Sequence, residues 1–288
     1  RLYALIGLVG MVLVRSKWSA ALAELFDREA DARDLALFRM VVFLSLAAYT
    51  SPSEIGRFAD LPAALLVEPV GWGWLLQILS LSSTWAVPLA WALIGTSLAA
   101  AVGFRPKVTS WLAVGLGIFV LGIPQFYGKI NHFHHLIWFA AVLAASPSWD
   151  VWALGAERNR TGSVLRGVRY GRPLIWVWLL IGLIYFFPGF WTVAVDVPAW
   201  MDGGALATML HAQWFRMDAV PSIRVDVGAL SMLAGTAVLV FEVGFIFALV
   251  NARSRALFVV GAVLFHLGVY LLAGINFWSL AVCLVAFV

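Results

Sequence analysis

Nine apolar stretches follow one another along this chain, and they restrict its fold more than any other feature. They cover residues 2–14, 35–50, 84–103, 108–124, 133–145, 174–188, 227–250, 256–272 and 275–288. Several are shorter than the roughly 20 residues that cross a bilayer perpendicularly, so these must extend into their flanks or be covered by neighbouring helices. The pattern predicts an all-α fold, a polytopic transmembrane helix bundle of about 8–9 membrane helices.

The composition agrees with a membrane protein and excludes a soluble one. Hydrophobic residues make up 63% of the chain and charged residues 12%, and the mean hydropathy is +0.94. A soluble domain of this size needs about twice that share of charge for its surface. The single cysteine, Cys283, excludes an internal disulfide and a multi-cysteine metal site. The net charge of +4 comes from short arginine-rich loops, so we expect the lipid bilayer as a partner and no nucleic acid.

The loops between the stretches alternate in charge, which predicts how the chain crosses the membrane. The basic loops are 104–107, 157–173 and 251–255, and the acidic or neutral loops are 51–83 and 191–226. By the positive-inside rule the basic loops face the cytoplasm. We therefore expect an integral, multi-pass protein of a bacterial plasma membrane, with a single transmembrane domain across 1–288. A further extramembrane domain, missing at the C-terminus, stays open.

One segment, YGKINHFHHLIW at 127–138, places scarce polar groups in an otherwise apolar part of the chain. It holds three of the five histidines. Ionisable groups at membrane depth are costly and usually face an interior cavity in which they act. The segment therefore predicts the mouth of a site on the non-cytoplasmic side. Its polar side chains are Lys129, Asn131, His132, His134 and His135.

Lys129 permits two interpretations. As a lysine at a helix end, it extends its ammonium into the lipid headgroups. In a water-poor cavity, desolvation instead favours the neutral amine, which can act as a base. Asn131, His134 and His135 share one helical face, and His132 lies with Lys129 on another. With these polar neighbours, both interpretations stay open.

The histidines also raise the question of a metal site. The spacing H-x-H-H resembles a histidine box of membrane di-iron desaturases, but those proteins need more histidines than the five present here. A single-metal site of His132, His135 and His266 stays open, although no carboxylate is spaced to complete it. We predict no metal. Histidines that hydrogen-bond across the helix bundle are the structural alternative.

Three further ionisable residues lie inside apolar stretches. Glu242 precedes Arg253 by 11 residues, and His266 follows Arg255 by 11. At about 1.5 Å per residue both lie ~16 Å from the turn between their helices, so the carboxylate and the imidazole can pair, which lowers the cost of burying either. Arg39 is expected to pair with a carboxylate or to bind a lipid phosphate near the inner face.

Motifs spread over most of the chain carry a family resemblance. They are LALFRMVVFLSL at 35–46, the polar segment at 129–135, LAASPSWDVWAL at 143–154, IYFFPGF at 184–190, WMDGGAL at 200–206 and FHLGVYLLAGINFWS at 265–279. Their order and spacing resemble the horizontally transferred transmembrane (HTTM) family, whose best-known members are the vitamin K-dependent γ-glutamyl carboxylases. Within the motifs, Arg39 and Asp150 are taken as structural charges.

The resemblance implies a quinol- and O2-dependent enzyme. In the carboxylases a lysine takes a proton from vitamin K hydroquinone, and oxygen then converts the quinol to a strong base that deprotonates glutamate before carbon dioxide adds. The resemblance makes Lys129 and His135 the catalytic residues, and a reduced vitamin K or menaquinol-type quinol the cofactor. The substrate- and cofactor-binding residues that we predict are Asn131, His132, His134, Glu242, His266 and Asn276.

Two other functions stay open beside this one. The chain departs from the family where a lysine commonly follows the Y-F-x-A-G motif, because Thr192 lies in that region here. The protein can be a non-catalytic structural subunit that packs against other subunits of a larger membrane complex. It can also be a maturation or export factor that binds a secreted peptide or protein substrate in the same cavity.

Overall fold

The computed structural model describes residues 23–67, 82–128, 133–154, 165–195, 197–217, 224–225 and 228–287. These residues are almost entirely helical, as predicted. Their one pair of strands, β1 (Ala30–Asp31) and β2 (Arg166–Gly167), is antiparallel. The helices are α1 (Ala32–Tyr49), α2 (Pro52–Ala59), α3 (Ser83–Ala101), α4 (Pro106–Gly122), α5 (His134–Ala144), α6 (Val168–Val195), α7 (Val197–Met201), α8 (Gly204–Met217), α9 (Gly228–Gly244), α10 (Ala252–Ala273) and α11 (Trp278–Cys283). Short 3₁₀ helices extend α4 to Tyr127, α9 to Leu249 and α11 to Phe287.

Five of the described helices are long and apolar enough to cross a membrane. They are α3, α4 with its extension, α6, α9 with its extension, and α10. α1 and α2 pass the same test together, although the chain bends by 53° between them. The described part of the chain therefore holds five spans, or six if the bent pair is one span, which fits an integral multi-pass membrane protein.

The predicted eight or nine spans are not confirmed. α5 and the final helix Trp278–Phe287 cover two of the predicted stretches, but both are shorter than a membrane span. The 11 residues of α5 extend about 16 Å, which is roughly half the thickness of a bilayer's hydrocarbon core. The stretch predicted at 2–14 lies outside the described residues.

The described helices divide into two compact units. The first contains the described residues within Arg1–Lys129 and Ile137–Trp176, and the second contains those within Ile130–Leu136 and Val177–Val288. α5 contributes its first turn to the second unit and the rest to the first. α6 contributes its first nine residues, up to Trp176, to the first unit and its remainder to the second.

α1 forms the core of the first unit because its apolar residues recur at helical spacing. Leu35, Phe38, Val42 and Leu46 lie on one face and are all fully buried. Phe38 contacts Phe139 of α5, with ring centroids 5.8 Å apart. α3 packs against α1 and α4, and small side chains at a helix interface allow such close packing. The small buried residues are Ala86, Ala90, Ser97, Ala100 and Ala101 on α3 and Ser110, Ala113 and Gly117 on α4.

Asp60 connects the end of α2 to the start of α3. Its carboxylate accepts a hydrogen bond from the backbone nitrogen of Ser83 at 2.9 Å, and the hydroxyl of Ser82 accepts one from Thr84 N at 3.2 Å. Two of the backbone N–H groups that lack a partner within the first turn of a helix are thereby satisfied. The backbone hydrogen bond from Ser83, and then the one from its side chain, lower the pKa of Asp60 below its ordinary value.

Glycines allow α7, α8 and α9 to approach closely in the second unit. Gly203 joins α7 to α8 with φ of +82°, and a Cβ at this position would overlap with Ser231 of α9. The Ser231 hydroxyl donates a hydrogen bond to the Gly203 carbonyl at 2.8 Å. A Cβ at Gly235 would likewise overlap with the carbonyl of Trp200. The WMDGGAL motif therefore has a packing role.

We predict that Asp60→Asn lowers the melting temperature at pH 7, because an amide oxygen accepts a hydrogen bond less strongly than a carboxylate. The carboxylate contributes stability above its unfolded-state pKa, ordinarily 3.8, and loses it as the pH falls through its lower folded-state pKa. The difference between variant and wild type should thus persist at about pH 5 and close toward about pH 3. Scanning fluorimetry in detergent measures it.

The matched control for this change is Asp34→Asn, at an exposed position of α1. It should alter the melting temperature less than Asp60→Asn at neutral pH. Two outcomes would contradict the stabilising role of the Asp60 carboxylate. One is an equal loss of melting temperature in the two variants, and the other is a loss for Asp60→Asn that is the same at low and at neutral pH.

Candidate functional site

A buried tyrosine–histidine pair is the main polar feature of the second unit. Tyr185 of α6 and His266 of α10 are each 3% exposed, and the phenol oxygen lies 2.5 Å from Nε2 of the imidazole. A phenol is the better donor and a neutral imidazole nitrogen a good acceptor, so we assign the donor role to Tyr185, which puts the ring proton of His266 on Nδ1. This Nδ1 is buried and has no hydrogen-bond partner among the described residues.

α6 brings Tyr185 to this position because glycines line the same helical face. Gly182, Tyr185 and Gly189 are spaced i, i+3 and i+7. A Cβ at Gly189 would lie 2.8 Å from the Cβ of Glu242 and 3.0 Å from the backbone nitrogen of Val243, both on α9. Without a side chain at Gly189, α6 and α9 are in close contact, as small residues permit in membrane helices.

Phenylalanine side chains surround the tyrosine–histidine pair. Phe245 and Phe241 lie against the tyrosine, with ring centroids 4.2 and 5.4 Å away. Phe265 and Phe277 lie against the histidine, with centroids 5.5 and 5.9 Å away. An apolar surrounding strengthens the hydrogen bond and excludes water from it. We call the pair and these four phenylalanines the aromatic site.

Two ionisable side chains lie within electrostatic range of the aromatic site. The imidazole of His135, which is buried, interacts with that of His266, and the carboxylate of Glu242 interacts with Tyr185. The predicted pairing of Glu242 with His266 is wrong in the described structure: Nε2 of His266 is bonded to Tyr185, and Nδ1 has no hydrogen-bond partner. A neutral phenol–imidazole bond avoids the desolvation of two charges that the predicted pair requires.

The polar segment is described only in part. Lys129, Asn131 and His132 lie outside the described residues, and their roles stay predictions. His134 and His135 form the start of α5, where His134 is half-buried and His135 is buried. Through His135, the structure brings one predicted catalytic residue near one predicted binding residue, His266.

Asn276, a predicted binding residue, lies two residues before the start of α11. Its side chain is exposed, and its oxygen accepts a hydrogen bond from the backbone nitrogen of Trp278, at 2.9 Å. This satisfies one of the free N–H groups at the start of α11. The described contact is thus structural, and a binding role for Asn276 stays a prediction.

The described residues contain no group of three or more histidine, cysteine, aspartate or glutamate side chains that could hold a metal ion. The open single-metal alternative combines His135 and His266 with His132, and His132 lies outside those residues. Of these histidines, His266 already uses Nε2 for Tyr185, so only its Nδ1 is left for another ligand.

Arg39 fixes the loop that follows α5 in the first unit. Its side chain is fully buried and donates to the carbonyl oxygens of Ser148 at 2.6 Å, Val151 at 3.5 Å and Trp152 at 2.5 Å. Its described partners are therefore backbone carbonyls and not the carboxylate or lipid phosphate expected from the sequence. A guanidinium presents its donors in a planar fork, which suits carbonyls that converge within one loop.

Asp150, the second predicted structural charge, joins the same loop to the start of α6. Its carboxylate forms an ion pair with Arg169 and accepts a hydrogen bond from the hydroxyl of Tyr170 at 2.8 Å. The guanidinium carbon of Arg169 lies 4.8 Å from the centroid of the Tyr170 ring. The SPSWD motif thus ties the loop to α6.

The sequence alone did not indicate Tyr185 as a site residue. The available signal was a single phenol in the middle of an apolar span, since a buried tyrosine hydroxyl needs a hydrogen-bond partner. The identity of that partner depends on which helices pack together. The same holds for Phe241 and Phe265, whose side chains are ordinary in an apolar helix and gain a role only beside the pair.

Comparisons of the chain with protein-family models, with curated proteins and with solved structures found no match. Function must therefore be inferred from the chemistry of the residues themselves. The arrangement offers a buried N–H donor on His266, a second imidazole on His135 within electrostatic range, and apolar aromatic walls.

We predict that Arg39→Leu lowers the free energy of unfolding by about 3 kcal/mol, because it leaves buried carbonyls without a donor. Arg39→Lys keeps the charge but not the planar fork, so it should recover only part of the loss. Unfolding in mixed detergent micelles measures both. Arg33→Leu, at an exposed position of the same helix, is the control, and equal stability of Arg39→Leu and Arg33→Leu would contradict the assignment.

A second prediction concerns the contact of α6 with α9. Gly189→Ala should destabilise the protein by about 1–3 kcal/mol, because the added methyl group enters the backbone of α9. Gly95→Ala in α3 is the matched control, since a Cβ there meets nothing within 4 Å; it should be neutral or stabilise α3 by about 0.5–1 kcal/mol. Unfolding in mixed detergent micelles measures the stability of both variants. A similar change in the free energy of unfolding for the two variants would refute the close contact between α6 and α9.

Proposed function

We propose that the protein is a membrane enzyme that binds a lipid-soluble quinol at the aromatic site and uses it in O2-dependent, carboxylase-like chemistry. The observation that carries the proposal is the hydrogen bond between Tyr185 and His266, enclosed by phenylalanines. Ionisable side chains at membrane depth are costly, and they mark functional sites by default. The motifs that resemble the HTTM family favour the same chemistry.

The aromatic site offers a quinol apolar ring surfaces and a hydrogen-bond donor. Phe241, Phe245 and Phe265 offer apolar ring faces, against which a planar ring packs favourably. Nδ1 of His266, which is buried without a partner in the described part of the chain, offers a donor to one quinol oxygen. When bound, the quinol would supply electrons to O2. His266 and the phenylalanines would hold it.

Tyr185 determines what His266 can do. With the phenol assigned as the donor to Nε2, the imidazole presents Nδ1–H and acts as a donor, not as the base. A fixed donor in a water-poor site stabilises negative charge on an oxygen. A separate base is then required, and the family resemblance assigns that role to Lys129. His135, within electrostatic range of His266, is proposed to act beside it.

The remaining parts of the proposal follow from the loop charges and the resemblance. The charge pattern favours a cavity open to the non-cytoplasmic side of a bacterial plasma membrane. A protein or peptide that reaches this side is a secreted one. We therefore propose a glutamate-bearing secreted peptide as the second substrate, the substrate class that the carboxylase resemblance implies.

We predict that His266→Leu weakens menaquinol binding about tenfold, because it removes a hydrogen-bond donor worth about 1.4 kcal/mol. His266→Asn keeps an N–H near the position of Nδ1 and should restore most of the affinity. Lys129→Ala should bind menaquinol normally and lose menaquinol-dependent oxygen consumption. Binding and oxygen consumption are measured on the same purified protein in nanodiscs.

The matched control is His211→Leu on α8, an exposed histidine of the same unit, which should change neither measurement. Wild-type affinity in His266→Leu, with the variant folded as judged by its melting temperature, would refute the site. Oxygen consumption that survives Lys129→Ala would refute the assigned base. A wild-type protein that neither binds menaquinol nor consumes oxygen would favour the non-catalytic subunit.

A further inference from the structure

A cleft of about 510 Å³ lies on the first unit between α5 and α6. Ala141 and Val142 of α5 and Trp176 of α6 contribute an apolar lining. Arg169 and Arg172, near the start of α6, contribute two guanidinium groups to the same cleft. The cleft therefore combines a long apolar lining with positive charge, and it does not contain any residue of the aromatic site.

Helical periodicity places these side chains together. Arg169, Arg172 and Trp176 are spaced i, i+3 and i+7 along one face of α6. Ala141 lies on α5, and Ala145, four residues later, is the first residue after that helix. Because both side chains are small, they leave open space beside α6, and larger side chains at these two positions would fill it.

The two arginines have hydrogen-bond donors to spare. Arg169 uses one nitrogen for its ion pair with Asp150. Arg172 donates to the carbonyl of Phe26 at 3.3 Å and to Asp27 at 3.2 Å. Both side chains remain more than half exposed, and a guanidinium carries five N–H donors. The Arg172–Asp27 pair is exposed on both sides, and such pairs are weak. Arg172 can therefore bind a further anion, and Arg169 keeps donors beyond the one that it uses for Asp150.

The charged and apolar parts of the cleft lie at different depths along a membrane-spanning helix. α6 is one of the helices long and apolar enough to cross a membrane. Arg169 is its second residue, and Trp176 lies seven residues further on, about 10 Å along the axis. The basic loop that precedes α6 is predicted to be cytoplasmic. The guanidinium groups thus belong at the headgroup level of the inner leaflet, and the tryptophan belongs deeper.

We propose that this cleft binds an anionic phospholipid of the cytoplasmic leaflet. The phosphate lies at Arg169 and Arg172, and one acyl chain lies along Ala141, Val142 and Trp176. A phospholipid matches the charge, because its single anionic group sits at one end of an apolar chain. Basic pockets between membrane helices on the cytoplasmic side bind the headgroups of such lipids. The proposal is independent of the quinol site.

Native mass spectrometry of the delipidated, detergent-purified protein tests the proposal. Wild type should bind dioleoyl phosphatidylglycerol more tightly than dioleoyl phosphatidylcholine. Arg172→Gln should weaken phosphatidylglycerol binding about fivefold, the expected contribution of one arginine near an anionic headgroup. Ala145→Leu, which fills the cleft without changing its charge, should weaken the binding of both lipids.

Two controls match these variants. Arg253→Gln removes an exposed arginine from another predicted cytoplasmic loop, and Ala92→Leu adds the same volume at an exposed position of α3; both should bind phosphatidylglycerol as wild type does. Equal affinity of wild type for the two lipids would overturn the proposal. So would unchanged phosphatidylglycerol binding in both Arg172→Gln and Ala145→Leu. Displacement of the lipid by millimolar inorganic phosphate alone would show a site for a free anion and also overturn it.

Discussion

The interior of a bilayer offers no water to a polar group, so polar groups buried in this chain need partners within the protein. Backbone carbonyls near helix ends meet much of this need. Trp178 Nε1 donates to the carbonyl of Ala286 at 2.6 Å, and Trp214 Nε1 donates to that of Leu272 at 2.5 Å. Arg39 donates in the same way to three carbonyls of one loop. The apolar part of each of these side chains packs in the core, and its N–H groups hydrogen-bond to backbone carbonyls.

The aromatic site solves the same problem in a different way. Tyr185 and His266 satisfy one another, and both can remain neutral, so neither has to bring a charge into the apolar core. This pairing still leaves one buried nitrogen of His266 without a described partner. Leaving such a group unsatisfied is costly. A structural role for the pair accounts for Nε2 of the imidazole but not for Nδ1. A bound ligand oxygen that accepts a hydrogen bond would account for Nδ1.

The apolar pattern predicted the helices well and their partners poorly. The predicted stretch 84–103 corresponds closely to α3, and 108–124 corresponds to α4 with part of its extension, because apolar length and helix ends are local properties. The depth of a residue in the membrane follows from its distance along the helix, which is also local. The sequence could therefore place Glu242 and His266 at the same depth on neighbouring helices. Partner choice is not local: α6 approaches α9 closely because Gly189 lacks a side chain, and Tyr185 of α6 meets His266 on a third helix, α10. Lys129, the centre of the predicted site, lies outside the described residues.

The motifs that carry the family resemblance differ in what they can say about activity. Arg39 and Asp150 organise the loop after α5, while Gly189 and Gly203 allow close helix contacts. Residues that organise a loop or allow helices to pack closely would be shared by any protein of the same fold, whatever its reaction. The proposed chemistry therefore depends on the polar segment and on His266. A protein that kept every packing motif but lost the Nδ1 donor or the base would keep the architecture and lose the proposed reaction.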